Sequence, residues 1–253
     1  MKVTFLGTGT SHGIPVPTCH CPVCMSDDPR DKRYRSSLLL EQDGKVLVID
    51  TGPEFRLQAL RAGFDHIDAV LYTHSHADHI NGIDDLRIFC KEKPLPVYAD
   101  SDVVSFIEDK FGYALRDTSK ENGGLPHLSP EVLQPYVEKE IFGFPVTPIP
   151  VQHGRHTIYA YRIGNLVYST DTSGIDDTSL SFMKGADTLI IGALRYKSHP
   201  THFSVDQAIE ISKKIGARQT YFTHMCHDLS HQTLCDTLPP EIRPAYDTFS
   251  FEV

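Results

Sequence analysis

The segment Thr73-His74-Ser75-His76-Ala77-Asp78-His79 places three imidazoles and a carboxylate within six residues, His74 to His79. The apolar run Ala69-Val70-Leu71-Tyr72 stands directly before it. The four groups are therefore delivered together at the carboxyl end of a buried strand, where open α/β sheets place their sites. Side chains alternate along an extended backbone, so His74 and His76 face one way, and Asp78 and His79 follow as the chain turns. One segment can thus feed two neighbouring cations. Three later apolar runs end similarly: 146–151 leads into Gln152-His153, 166–169 into Thr170-Asp171, and 219–222 into Thr223-His224. Pooled, these residues give His74, His76 and His153 for one metal and Asp78, His79 and His224 for a second, with Asp171 able to bridge. Nitrogen and carboxylate donors suit zinc, manganese or iron. Paired ions of this kind activate water for hydrolysis.

A second cluster is sulfur-based. Three of the six cysteines, Cys19, Cys21 and Cys24, fall within six residues. That spacing is too tight for a secreted disulfide framework and reads as metal binding in a reducing compartment. The chain opens Met1-Lys2-Val3-Thr4-Phe5-Leu6-Gly7 with no signal-peptide pattern, so a cytoplasmic location is expected. No run approaches the roughly 18 apolar residues of a bilayer span. The 253 residues carry 24 Lys and Arg against 33 Asp and Glu, a net charge of −9 that disfavours coating nucleic acid.

The elements that must position these groups follow from hydrophobic patterning. Strands are expected over 3–6, over 38–41 and 45–49 around an Asp43-Gly44 turn, and over 67–72, 146–151, 158–163, 166–169, 188–191, 219–222 and 248–252. Helices are expected over 53–61, 83–89, 101–111, 178–184 and 204–215. Strands in both halves with helices between them indicate an α/β fold, sheets face to face and helices outside, in one domain spanning 1–253. The irregular stretch 112–135, with Asn122-Gly123-Gly124 and three prolines, reads as an excursion over a site, reaching to about 140. The basic run Lys32, Arg33 and Arg35 reads as a solvated strand edge. Gly7 to Gly13 lacks the lysine of a phosphate-binding P-loop and reads as a tight turn lining the site.

The His-x-His-x-Asp-His signature with its downstream His, Asp and His resembles the metallo-β-lactamase superfamily. That resemblance implies a four-layer αβ/βα sandwich with a dinuclear site at one edge of the two sheets. Gly7-Thr8-Gly9-Thr10-Ser11-His12-Gly13-Ile14-Pro15, followed by Cys19-x-Cys21-x-x-Cys24, is similar to the phosphodiesterase branch that includes phosphoribosyl cyclic phosphate phosphodiesterase. The resemblance implies one structural zinc on Cys19, Cys21, Cys24 and His227 in a loop at about 12–30, with His20 and Cys226 as alternative ligands. It also places a proton-donating histidine at His202, with His199 as the nearby competitor. In the same loop, Arg195 and Lys197 are read as phosphate contacts.

The expected activity is hydrolysis of a small phosphodiester or cyclic phosphate by a water bridging two divalent ions (zinc or manganese, or iron), with Asp78 holding the second ion and His202 protonating the leaving oxygen. The alternatives are tRNA 3′-processing, hydrolysis of thioesters or lactones, and a non-catalytic metal-binding role. Residues 112–140 carry three basic and five acidic side chains, so they make a poor arm for a long nucleic acid. A small phosphorylated substrate fits better. Dimers are common in the superfamily, so the resemblance allows a homodimer.

Overall fold

The computed structural model describes residues 1–90, 93–116 and 124–253. Six strands of the first sheet come early: β1 (Lys2–Gly7), β2 (Ser37–Gln42), β3 (Lys45–Ile49), β4 (Ala69–Leu71), β5 (Leu95–Ala99) and β6 (Leu128–Val132). The second sheet holds β7 (Lys139–Ile141), β8 (Phe144–His153), β9 (His156–Ile163), β10 (Leu166–Ser169), β11 (Thr188–Gly192), β12 (Gln219–Thr223) and β13 (Ile242–Pro244). The last strand, β14 (Ser250–Glu252), returns to the first sheet beside β1.

Period-two alternation divides these strands between two environments. In β3, Leu47 and Ile49 point into a cluster shared by both sheets, while Val46 and Val48 point the other way. Likewise Leu166 and Tyr168 of β10 face the shared cluster and Val167 faces outward. The outward faces are covered by helices. Val103, Val104 and Ile107 of α3 (Ser101–Lys110), with Phe55 of α1 (Phe55–Ala62), close the first sheet. Met183 of α4 (Asp177–Met183) and Val205, Ala208 and Ile215 of α5 (Val205–Ile215) help to close the second. Strands covered on both faces read as near-continuous apolar runs. The layers are helix, sheet, sheet and helix, the αβ/βα sandwich expected.

The helix α5 starts with a capping box, the Ser204 side chain accepting from the Gln207 backbone while Gln207 reaches back, and ends at Gly216 with φ 76°. That fixed start matters for the cleft, because the loop delivering His202 runs straight into it.

The helix expected over 83–89 is present with those bounds as a 3₁₀ helix. Several expectations change. The stretch expected to ride over the site instead contributes β6 and β7, at the outer edges of the two sheets. No described residue of 112–140 lines the main cleft, and Asn122 and Gly123 lie outside the described residues. The basic run is not a solvated edge. Arg33 is 1% exposed and donates to the carbonyls of Cys226 (3.2 Å) and Leu229 (2.7 Å), beside Asp31. Lys32 donates to the Cys24 carbonyl, and Arg35 to the Ser11 carbonyl and to Glu54. Lys32 braces the cysteine-bearing loop, Arg35 the glycine-rich turn, and Arg33 the segment after β12. Among the described residues, no helix is long and apolar enough to cross a membrane.

Candidate metal centres and the cleft above them

The site is assembled from strand ends. The parallel pairs β3–β4 and β10–β11–β12 finish at the same edge of the sandwich. Three residues just past these ends, Asp50, Asp171 and His224, have φ of 62°, 50° and 54°. The left-handed region is uncommon for residues other than glycine, and such strain clusters where function over-determines geometry. Here it turns side chains from the strand axis inward. At Gly52 a Cβ would lie 2.3 Å from the Asp78 carbonyl oxygen, so only glycine lets the β3 loop approach the short helix α2 (Ala77–Ile80) that carries Asp78 and His79.

Two groups of potential ligand atoms result, each within 4.8 Å of one another: His74, His76, His153 and Asp171, and Asp78, His79, Asp171 and His224. Asp171 belongs to both. Its Oδ1 lies 3.1 Å from His224 Nε2 and 3.3 Å from His79 Nε2, while Oδ2 lies 3.9 Å from His74 Nε2. Asp78 Oδ2 is 3.3 Å from His79 Nε2 and 3.6 Å from His224 Nε2.

Three of the outer nitrogens are anchored, while that of His224 is buried without a partner. His79 Nδ1 is 2.7 Å from Asp50 Oδ2, His153 Nδ1 2.8 Å from the Thr201 carbonyl, and His74 Nδ1 3.0 Å from Thr73 Oγ1. The inner nitrogens of His74, His79 and His224 are buried with no hydrogen-bond partner. A buried polar atom left unpaired is costly, and these face carboxylates around a common centre. Burial alone would raise the Asp171 carboxyl, yet His224 and His79 hold it well below the usual range. Burial likewise opposes charge on His79, but Asp171, Asp50 and Asp78 push its imidazole well above normal. The cage draws in positive charge, and its donors fit two divalent cations.

Asp50 escaped the sequence reading although it too ends an apolar strand. Fully buried, it accepts from Thr73 N, Thr73 Oγ1 and His79 Nδ1. Replacement by asparagine would set amide hydrogens against these donors. Outer-shell partners of metal-ligating histidines are worth roughly 10- to 100-fold in metal affinity, so Asp50→Asn should weaken the second group's hold on zinc by about that factor in a chelator-competition titration. Unchanged affinity would show that Asp50 serves only the fold.

Above the two groups opens a cleft of about 740 Å³, lined by Ser11, Asp78, Asp171, Arg155, His156, His202 and neighbours. The glycine-rich turn thus contributes Ser11. His202 Nδ1 lies 3.9 Å from Asp171 Oδ2, and its ring centroid is 4.9 Å from those of His153 and His224. Burial, reinforced by His224, pushes its imidazole down to about 3. His199 is outside the lining, and its Nδ1 is engaged by Thr201 N and Oγ1. Arg195 folds onto the Lys197 and Ser198 carbonyls, and neither Arg195 nor Lys197 reaches the cleft wall. Arg155 and His156 do line it, and sequence reading passed over both.

The sulfur cluster also closes. Cys19, Cys21 and Cys24 Sγ lie 3.1, 3.5 and 3.6 Å from His227 Nδ1. The Val16 and Cys24 amides donate to the sulfurs of Cys24 and Cys21. His20 is exposed, and neither it nor Cys226 joins the group. The two sides of this cluster are about 200 residues apart, so it ties the first loop to the segment following β12.

Comparison with known proteins agrees with this geometry. A crystal structure of a diphosphatase from the PhnP family superposes with a TM-score of 0.92 at 40% identity, covering 99% of this chain and 96% of that one. Zn²⁺-bound PqqB from Methylobacterium extorquens shares the fold, with a TM-score of 0.80 at 18% identity and full coverage of both chains. An octanoyltransferase of Porphyromonas gingivalis is 40% identical over 98% of this chain, which spans 50% of that protein's length. The family model of the β-lactamase superfamily domain matches residues 45–225. This chain belongs to the metallo-β-lactamase superfamily of hydrolases.

Proposed function

We propose that the protein hydrolyses small phosphoric diesters, with two divalent ions, zinc or manganese, held by His74, His76, His153 and Asp171 and by Asp78, His79, Asp171 and His224. The observation that carries this reading is the shared carboxylate of Asp171 beneath a cleft whose wall presents His202. Ions held there supply Lewis acidity, lowering the pKa of water and neutralising charge on phosphoryl oxygens. The protein's part is positional. Asp50, Thr73 and the Thr201 carbonyl fix three imidazoles through their Nδ1 atoms, so the inner nitrogens need no reorganisation on loading. His202 is neutral at rest, and an anionic phosphoryl group beside it favours its protonated form. It then delivers that proton to the departing oxygen. Asp78 accepts no proton in this scheme and serves as a charged ligand.

Cys19, Cys21, Cys24 and His227 form a closed set of three thiolates and an imidazole, which suits a structural zinc that contributes folding energy. Cysteines that stay reduced to serve such a site fit a reducing compartment, the cytoplasm. The 40% identical diphosphatase supports phosphoryl chemistry. The octanoyltransferase name belongs to a protein twice as long, and a cleft walled by Arg155 and His156 favours an anionic substrate over an acyl thioester.

The test is a metal-reconstituted preparation screened against bis-p-nitrophenyl phosphate, cyclic nucleotides, phosphoribosyl cyclic phosphates, precursor tRNA and octanoyl thioesters. Three bound ions per chain and turnover of small diesters are expected. Full loading with no diester hydrolysis, or preferential cleavage of the thioester or tRNA, would overturn the proposal.

A further inference from the structure

Hydrolysis at the paired centres does not require the positive charge carried by one wall of the cleft. Arg155 sits at the tip of the β8–β9 hairpin, two residues after His153, and among the described residues is the one lysine or arginine in the cleft lining. It is exposed. Arg30, Arg33, Arg35 and Arg61 lie beside carboxylates, and Arg162 and Arg195 donate to carbonyls. Among the described residues Arg155 does neither; the same holds for Arg56, Arg218 and Arg243, but of these only Arg155 lines the cleft.

The turn that presents it is braced. His153 pairs with His156 across the hairpin. Gly154 has φ 62°, and a Cβ there would lie 2.7 Å from Thr201 Cγ2. Its amide donates to Ser173 Oγ at 2.9 Å. Glycine therefore lets the tip lie against the loop that delivers His202, while the next side chain is left in the cleft. A guanidinium matches two phosphate oxygens at once and suits phosphate recognition better than a point charge. The carboxylates lining the cleft, Asp78 and Asp171, are turned to the imidazole cage, so neither neutralises Arg155.

We propose that Arg155, with His156 beside it, forms a distal anion subsite that reads a second phosphoryl group on the substrate. The preferred substrates are then diesters bearing another phosphate next to the scissile one, such as nucleoside diphosphate derivatives, over singly charged diesters. The proposal rests on the reading of the cleft as a phosphodiester site, and its test does not depend on turnover.

Metal-loaded protein is titrated with N-methylanthraniloyl-labelled adenosine diphosphate and monophosphate, and the ratio of the two Kd values is compared in wild type, Arg155→Ala and Arg155→Lys. Charge-assisted bonds of this kind predict that Arg155→Ala reduces the preference for diphosphate by about tenfold or more. Arg155→Lys should retain part of it, and the wild-type preference should shrink as salt rises from about 50 to about 200 mM. An Arg155→Ala ratio equal to that of wild type overturns the subsite. A wild-type protein that binds both nucleotides with the expected ratio but cleaves no diester defeats the proposed reaction and leaves the subsite standing.

Discussion

Asp171→Asn is expected to lower kcat/KM on bis-p-nitrophenyl phosphate by about 10²- to 10⁴-fold and to leave the cleft with at most one tightly held ion. The side chain is the meeting point of both ligand groups, with Oδ1 toward His79 and His224 and Oδ2 toward His74. Asparagine tolerates the left-handed backbone found here, φ 50°, so the substitution changes charge and leaves the turn intact. Each contact to a charged partner is worth roughly 1.5–3 kcal/mol. Losing one on each side gives roughly 3–6 kcal/mol, and each tenfold in rate is about 1.4 kcal/mol. Metal analysis by mass spectrometry and steady-state kinetics on the same sample check both halves. Two cleft ions retained with activity within about tenfold of wild type would reject a shared-ligand role.

Much of this site could be read in the sequence, because strand, turn and ligand are contiguous at His74 to His79 and repeat their pattern at His153, Asp171 and His224. Asp50 follows the same pattern yet was passed over. Asp50-Thr51-Gly52 looks like an ordinary turn until His79, 29 residues later, is folded against it. Arg33 was misread for a related reason. Its solvent-free position is decided by carbonyls 193 and 196 residues away, which local charge patterning cannot register. The strands omitted from the sequence reading are short, and β5, β6 and β13 each contain a proline: Pro96, Pro130 and Pro244. Proline lowers strand propensity, and only pairing with a neighbour reveals the element. Arg155 was invisible because a cation one residue past a glycine turn means nothing until the opposite wall is known.

His202→Ala should keep both ligand groups loaded while lowering kcat by about 10²- to 10⁴-fold on esters with alkoxide leaving groups, the usual contribution of a positioned acid. The separation from Asp171→Asn follows from geometry. His202 lines the cleft but belongs to neither ligand group, so its removal should not release ions. The leaving group supplies the sharper criterion. An alkoxide needs a proton as it departs, whereas p-nitrophenolate is stable without one, so the same variant should lose far less activity on bis-p-nitrophenyl phosphate than on an alkyl diester. His199→Ala should stay near wild type on both, because that ring, although packed 5.1 Å from His202, is engaged by Thr201 within its own loop and does not itself line the cleft. Equal losses on the two ester types for His202→Ala would make the imidazole a binding group for phosphate oxygens, and the proton would have to reach the leaving oxygen from another donor.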